Sequence, residues 1–432
     1  MHCNIRPRRM QPAANRRAHT PRASRYQHDF ALHRTLHYTC RSSGLYLTMT
    51  ATLPRPSAEA CAHSDKLCEL IRNDIAAQGG WIPFSRFMEL ALYAPGLGYY
   101  SAGARKFGEA GDFITAPELS PLFGRSLARQ VAEIMRLSAP RILELGAGSG
   151  KLAADVLGEL ERMGCLPERY EILEVSADLR ERQQVLLRER VPHLFNRIGW
   201  LDVLPEKISG AVIGNEVLDA LPVHLLHWTG TDIAERGVAS EGETFIWQER
   251  VLKTPALLEA AQQIKVPDDY LSEISLAARG LVASLSTRLQ QGVLLFIDYG
   301  FGASEYYHPQ RRRGTLMCHY RHHAHDDPFF LPGLQDITAH VDFTAIAESA
   351  IDNGAHFLGY TTQAHFLINC GIADFMAERD PENLRDYLPL SAQFQKLTSP
   401  AEMGELFKVI ALGKEMEEEL CGFASGDKSR FL

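Results

Sequence analysis

From Arg141 onward, short apolar runs alternate with stretches of helical period: RILEL, a helix after Gly150, YEILEV, a helix to about Arg190, then WLDVL and GAVIG. This is the rhythm of a mostly parallel sheet with helices packed on it. Farther on, Leu271 to Gln290 reads as a helix feeding GVLLFIDYG, Phe343 to Asn353 as a helix leading to HFLGY, and FKVIALG from Phe407 as the closing strand. A polar, partly alternating stretch from His224 to Leu252 suggests a hairpin. The expected fold is therefore α/β, a Rossmann-like doubly wound sheet of seven core strands. It carries an N-terminal helical and loop extension and a substrate-region insertion of hairpin and helix at about 223–290.

Ahead of the sheet, Leu67, Leu70, Ile71 and Ile75 have helical period, with Ser64 or Asp65 as a cap and Gly79-Gly80 as a stop. A second helix is expected over Phe84 to Leu92 and a third over Pro121 to Leu137. Between these two, Ala94 to Pro121 holds five glycines and three prolines among aromatics, a long ordered loop of the kind that carries function. The expected organisation is a basic extension (1–48), helices and functional loop (49–138), a cofactor core with its insertion (139–300), a substrate-side loop (301–342), the end of the sheet (343–415) and a tail (416–432).

At 432 residues, 45% apolar and 23% charged, the chain has the composition of a soluble globular protein with a sizeable core. No apolar run approaches the 18 residues of a membrane span. Eight cysteines without a CxxC pair point to reduced thiols. Cys318 and His319 beside His322, His323 and His325 do not show the split spacing of a zinc site, so no metal is expected. Residues 1–48 hold nine arginines, no lysine and one acid, Asp29; removing them from the totals of 45 bases and 53 acids leaves a body of net charge −16. An acidic body argues against a nucleic-acid partner. The head reads as upstream sequence before a start at Met49, with a cytoplasmic protein, or as a transit peptide, with a matrix protein.

Gly146, Gly148 and Gly150 follow RILEL and open a helix, where a tight turn brings backbone amides close to a ligand. A dinucleotide fingerprint needs glycine at position 151, which is Lys151. Glu144, at the strand end, would repel a pyrophosphate and suits a ligand bearing an ammonium and a sulfonium; S-adenosylmethionine carries both. Glu174 lies 24 positions past Gly150, where an acid holds ribose hydroxyls. Asp202 and Val203 end the third strand, in position to meet an adenine amino group and ring edge, unless Asp202 is only a surface acid.

Asn215 and Glu216 fall at the end of the fourth strand, across the switch point where open α/β sheets bind ligands. Methyl transfer needs alignment and correct protonation more than covalent chemistry. Glu216 and Asp219 suit a cationic acceptor such as a guanidinium, which paired carboxylates recognise; the bland alternative is a helix N-terminus that favours acids. The stretch from Arg311 to Phe343 is expected to border the acceptor, with Asp336, Thr338, His340 and Asp342 alternatively capping the next helix.

The segments GYYSAGARKFGEAGDFITAPELSPLFG, ILELGAGSG, GNEVLDALPVH and QDITAHVDF resemble the MidA family, related to the mitochondrial methyltransferase that assists assembly of respiratory complex I. The resemblance runs from about Ser64 to Gly413. It implies the class I methyltransferase sheet, S-adenosyl-L-methionine as cofactor, and transfer to a protein arginine, giving symmetric dimethylarginine on a complex I subunit. Family motifs map onto Gly146, Gly148, Gly150, Glu174, Asp112, Phe113, Thr115, Pro117, Glu118, Asn215, Glu216, Asp219 and Pro222. Asp112, Thr115, Glu118, Tyr320, Arg321 and His340 are the expected substrate or loop-closure positions; no membrane insertion is expected, and the number of chains is left open, a homodimer being one option. The competing expectation is a non-catalytic cofactor-binding assembly factor.

Overall fold

The computed structural model describes residues 53–102 and 115–432; the basic head, Met49, Asp112 and Phe113 lie outside the described residues. Seven apolar runs line up in one sheet. In chain order they are β1 (Arg141–Leu145), β2 (Arg169–Leu173), β3 (Ile198–Leu201), β4 (Ile208–Asn215), β5 (Leu289–Phe301), β6 (His356–Thr362) and β7 (Phe407–Lys414). Across the sheet the order is β6-β7-β5-β4-β1-β2-β3. β7 runs antiparallel to β5 and β6, and every other pair on this path is parallel. An eighth strand, Val341–Asp342, joins the end of β5; two residues are too few to leave a periodic signal in the sequence.

Burial on both faces explains the unbroken apolar run of β5. Val293, Leu295 and Ile297 enter one core while Leu294 and Phe296 enter the other. Helices ahead of the sheet and on its two faces include, in chain order, α1 (Ala58–Ala77), α2 (Phe84–Tyr93), α3 (Pro121–Leu137), α4 (Lys151–Arg162), α5 (Ala177–Arg190), α6 (Leu276–Arg288) and α7 (Phe343–Asp352). α3, α4 and α5 bury their apolar stripes against the first face, and α6 and α7 theirs against the second. Because the chain runs outward from β1 in one direction and from β4 in the other, the ends of these neighbours diverge into a crevice.

The insertion is larger than a hairpin. His224–Trp228, Ile233–Glu241 and Thr244–Val251 form an antiparallel meander, joined by Ile82–Pro83 and by Tyr270–Ile274. The residues expected to begin a helix at Leu271 are thus a strand, and α6 starts only at Leu276, where Ser275 accepts the Ala278 amide at 3.0 Å. α1 likewise begins earlier than its apolar period suggests. Ser57 caps it through the Ala60 amide at 3.1 Å, and Ser64 is a buried interior residue donating to the Pro332 carbonyl at 2.9 Å. The loop after β5 holds a small sheet of Met317–Tyr320, His323–His325 and Asp336–Thr338. Residues 416–432 are no free tail: Leu420 is buried, the Lys428 amide donates to the Tyr360 carbonyl at 2.8 Å, and Thr361 donates to the Gly426 carbonyl at 2.7 Å. Among the described residues no helix is long and apolar enough to cross a membrane.

Candidate active site

At the end of β1 the chain turns through Gly146, Gly148 and Gly150, with φ of 60°, 54° and 85°. That left-handed backbone is readily open only to glycine. The turn is pinned by the Gly146 amide on the Leu173 carbonyl at 3.0 Å. Beneath it Glu144 is buried, with the Tyr170 hydroxyl donating to it at 2.8 Å. Burial pushes this carboxyl up to about 7; the tyrosine opposes the shift and Glu174 adds to it. Glu174 itself accepts the Ser176 amide at 2.9 Å and the Gln183 side-chain amide at 2.9 Å. A carboxylate has about four acceptor sites, so these two bonds and the nearby Val175 amide do not fill it. Asp202 and Val203, one and two residues beyond β3, are exposed, and Asp202 is held by Arg180 at 2.8 Å.

The acceptor side begins where β4 ends. Asn215 donates to the Glu216 carboxylate at 3.1 Å, and its own Oδ1 is buried without a hydrogen-bond partner among the described residues. Glu216 adopts φ of 52°, a strained choice for a non-glycine residue. The next three amides, Val217, Leu218 and Asp219, converge on one oxygen of Asp298 at 3.2, 2.9 and 3.3 Å. Asp219 is buried, with its Oδ1 also unpartnered among the described residues and the Tyr299 hydroxyl donating toward its carboxyl.

Burial sets the charge state of these carboxyls. Burial pushes Glu216 up to about 8; Asp219 and, less strongly, Asp336 add to the shift, while the Asn215 side chain and the Ala116 amide oppose it. Burial raises Asp219 and Asp298 as well, and for Asp298 the neighbouring Asp219 and Glu216 charges reinforce it. Three tyrosines wall the group: Tyr93 donates to the Ala220 carbonyl at 3.0 Å and stacks on Tyr100, Tyr100 donates to Asp336 at 2.9 Å, and Tyr299 faces Asp219. A cluster of carboxyls lined by aromatic rings favours a cation carrying several N–H donors.

From Thr115 on, the end of the N-terminal segment meets the glycine turn. Thr115 is buried at the entry to the short helix Ala116–Leu119. Glu118 accepts from Ser149 through its side chain and from Lys151 Nζ through its carbonyl at 2.8 Å. Tyr320 ends a strand of the small sheet and is buried against Phe330, while Arg321, in the turn that follows, is exposed and donates to the Arg55 carbonyl at 3.2 Å. His340 stacks on Phe301 and lies edge-on to Tyr299; burial lowers its pKa to about 4, with Arg311 reinforcing the shift, which leaves the imidazole neutral. The helix cap expected in this stretch is Asp342, which accepts the Ala345 amide at 3.2 Å. Among the described residues no three His, Cys, Asp or Glu side chains gather as metal ligands.

Residues 126–361 match the model of a family described as "Putative S-adenosyl-L-methionine-dependent methyltransferase". The chain belongs to that family. A Drosophila melanogaster relative, the mitochondrial protein arginine methyltransferase NDUFAF7 homolog, is 30% identical over 399 residues, spanning 83% of this chain and 87% of the relative. The Homo sapiens protein arginine methyltransferase NDUFAF7, mitochondrial, is 30% identical over 368 residues, spanning 77% and 80%. Among solved structures, a Burkholderia thailandensis protein bound to S-adenosyl-homocysteine is 49% identical, with a TM-score of 0.86 over 88% of this chain and 100% of that one. This methyltransferase thus bears out the MidA resemblance and the S-adenosylmethionine cofactor.

The site residues read from sequence fall into groups. Glu144, Gly146, Gly148, Gly150 and Glu174 surround one turn; Asn215, Glu216 and Asp219 gather one strand away; Thr115 and Glu118 lie between them, with the Ala116 amide reaching Glu216 and Glu118 reaching Ser149. Asp298 and Gln183 went unread. The signal for Asp298 was a lone acid in VLLFIDYG; Gln183 gave none, being one glutamine in a polar helix.

Proposed function

We propose that the protein is a protein arginine N-methyltransferase acting on a respiratory complex subunit, with Glu216 and Asp219 receiving the acceptor guanidinium. The observation that carries this reading is the cluster of Glu216, Asp219 and Asp336 inside a tyrosine wall, with an Asp219 oxygen lacking a partner among the described residues. The relatives' names supply the substrate class. The strand order with antiparallel β7 is read here as the class I methyltransferase sheet.

The glycine turn, the remaining acceptor sites of Glu174, the buried Asn215 Oδ1 and the upward-shifted Glu144 fit a ligand that brings hydroxyls, N–H donors and positive charge. When bound there, S-adenosylmethionine supplies an electrophilic methyl carbon. Glu216 and Asp219 would orient the guanidinium so that one nitrogen lone pair faces the methyl carbon, the new N–C bond forming as the carbon–sulfur bond breaks and its electron pair stays on the sulfur of S-adenosyl-homocysteine. That nitrogen must give up a proton, and a carboxylate whose pKa stands near 8 is matched to take it. The tyrosines exclude water and strengthen each charge interaction.

Methylation of an arginine peptide and its lysine counterpart, with native protein and Glu216→Ala, tests the assignment. Arginine-selective transfer that drops at least about 100-fold in the variant supports it; undiminished transfer by the variant removes Glu216 from the reaction. Tight cofactor binding with no transfer to any protein favours the assembly-factor reading.

A further inference from the structure

We propose that Gln183 is a positioning residue for the cofactor, a buried amide that ties the glycine turn to the Glu174 carboxylate. Its Nε2 donates to the Gly148 carbonyl at 3.0 Å and to Glu174 Oε2 at 2.9 Å, and its Oε1 accepts the Trp200 indole N–H at 2.9 Å. The side chain is fully buried. An indole N–H can only donate, so Trp200 fixes which end of the amide is oxygen and aims both N–H bonds at the turn and the acid.

The glycine turn follows β1 and Glu174 follows β2, yet the side chain joining them comes from α5. A Cβ added at Gly150 would lie 3.3 Å from the Gln183 Cα and Cγ, so the turn rests on the stem of this residue as well. With Gln183 and the Ser176 amide each occupying one Glu174 oxygen, the carboxylate is held in one orientation and keeps acceptor sites for hydroxyls. A ligand that spans the turn and the acid meets both in fixed relation, and the cost of ordering them on binding is already met in the folded protein. The inference rests on the family's cofactor and not on the acceptor assignment.

The test is calorimetric titration of the full chain with S-adenosyl-homocysteine, alongside steady-state rates. Gln183→Met keeps the volume and removes both donors. It is expected to weaken binding about 10- to 100-fold, with KM for the cofactor rising likewise and kcat at saturation changing little. Gln183→Glu adds a pH signature. At pH 5.5 the introduced carboxyl, when protonated, still donates one hydrogen bond, whereas at pH 8 it faces Glu174 as a second negative charge, so affinity falls with rising pH more steeply than in the native protein. Trp200→Phe leaves Gln183 in place, removes only the N–H that orients it, and is expected to weaken binding about three- to tenfold. Native-like affinity in Gln183→Met and Trp200→Phe, even with a lower melting temperature, assigns Gln183 to packing alone and overturns the proposal. Failure of the native protein to bind S-adenosyl-homocysteine would instead contradict the cofactor reading itself.

Discussion

The carboxylate of Asp298 accepts the backbone N–H of Leu218 at 2.9 Å, reaching from the end of β5 to the turn that follows β4. The same oxygen takes the Val217 and Asp219 amides, and the other takes the Tyr299 amide at 2.9 Å. One buried acid thus ties down the turn immediately after Glu216, whose left-handed backbone costs on the order of 1 kcal/mol or more to hold. Asp298→Ala is expected to lower kcat about 100-fold by misplacing Glu216 and Asp219, and to reduce stability by about 1–3 kcal/mol. Asp298→Asn keeps an acceptor oxygen and should retain much more of both. Initial rates and urea unfolding read the two effects; a native-like rate in the alanine variant contradicts the role.

The raised Glu216 pKa makes two linked predictions. Below about pH 8 the free enzyme holds this carboxyl mostly protonated, so kcat/KM should climb as pH rises through that value, and Glu216→Gln should lack the ascending limb. For stability the sign is opposite. An acid with a folded pKa raised from 4.5 to about 8 binds more protons in the native state over that window, so its contribution declines as pH rises from about 4.5 to 8. Thermal unfolding should accordingly show Glu216→Gln gaining on the native protein between pH 5 and pH 8. Parallel melting curves across that range would remove the premise.

Contiguous motifs were the legible part of this protein. Three glycines with positive φ, Glu144 before them and Glu174 at the next strand end could be found because local spacing alone sets their placement. Asp298 and Gln183 act on partners about 80 and 35 positions away, and no window of sequence contains both ends of those contacts. The central strands β4 and β5 were legible because a strand buried on both faces is an apolar run. The strand Tyr270–Ile274 was not, since it buries Ser272 and Glu273 among its apolar residues, and Glu273 is satisfied by the distant Thr315 and Leu316 amides at 2.8 and 3.0 Å.

Glu118 provides a test of how the N-terminal loop meets the cofactor turn. Its side chain takes the Ser149 hydroxyl while its carbonyl takes Lys151 Nζ. Glu118→Ala removes only the first, and a loss of about 1 kcal/mol corresponds to roughly fivefold weaker cofactor binding. Calorimetry with S-adenosyl-homocysteine measures it; unchanged affinity means that the Glu118–Ser149 contact does not support the cofactor turn.

His340 should be a spectator in proton transfer. Its pKa of about 4 leaves it neutral across the working range, and its ring is stacked on Phe301. His340→Gln should therefore leave the shape of the pH–rate profile between pH 5.5 and 8 unaltered. The lowered pKa also means that the native state binds fewer protons than the unfolded chain between about pH 4 and 6.5, so His340 costs stability as pH falls through that window. The variant should lose less stability than the native protein on acidification, by denaturant melts at pH 7 and 4.5; an equal or greater loss contradicts the assignment.

The central claim is that this fold moves a methyl group from S-adenosylmethionine to an arginine held by Glu216 and Asp219. Its most direct test is transfer of labelled methyl from S-adenosylmethionine in a lysate of the protein's own source, followed by mass spectrometry of the labelled species. Label is expected on an arginine of a discrete protein and is expected to be lost with Glu216→Ala. Label on a nucleic acid, a small molecule or another side chain, or no label despite bound cofactor, would contradict the claim.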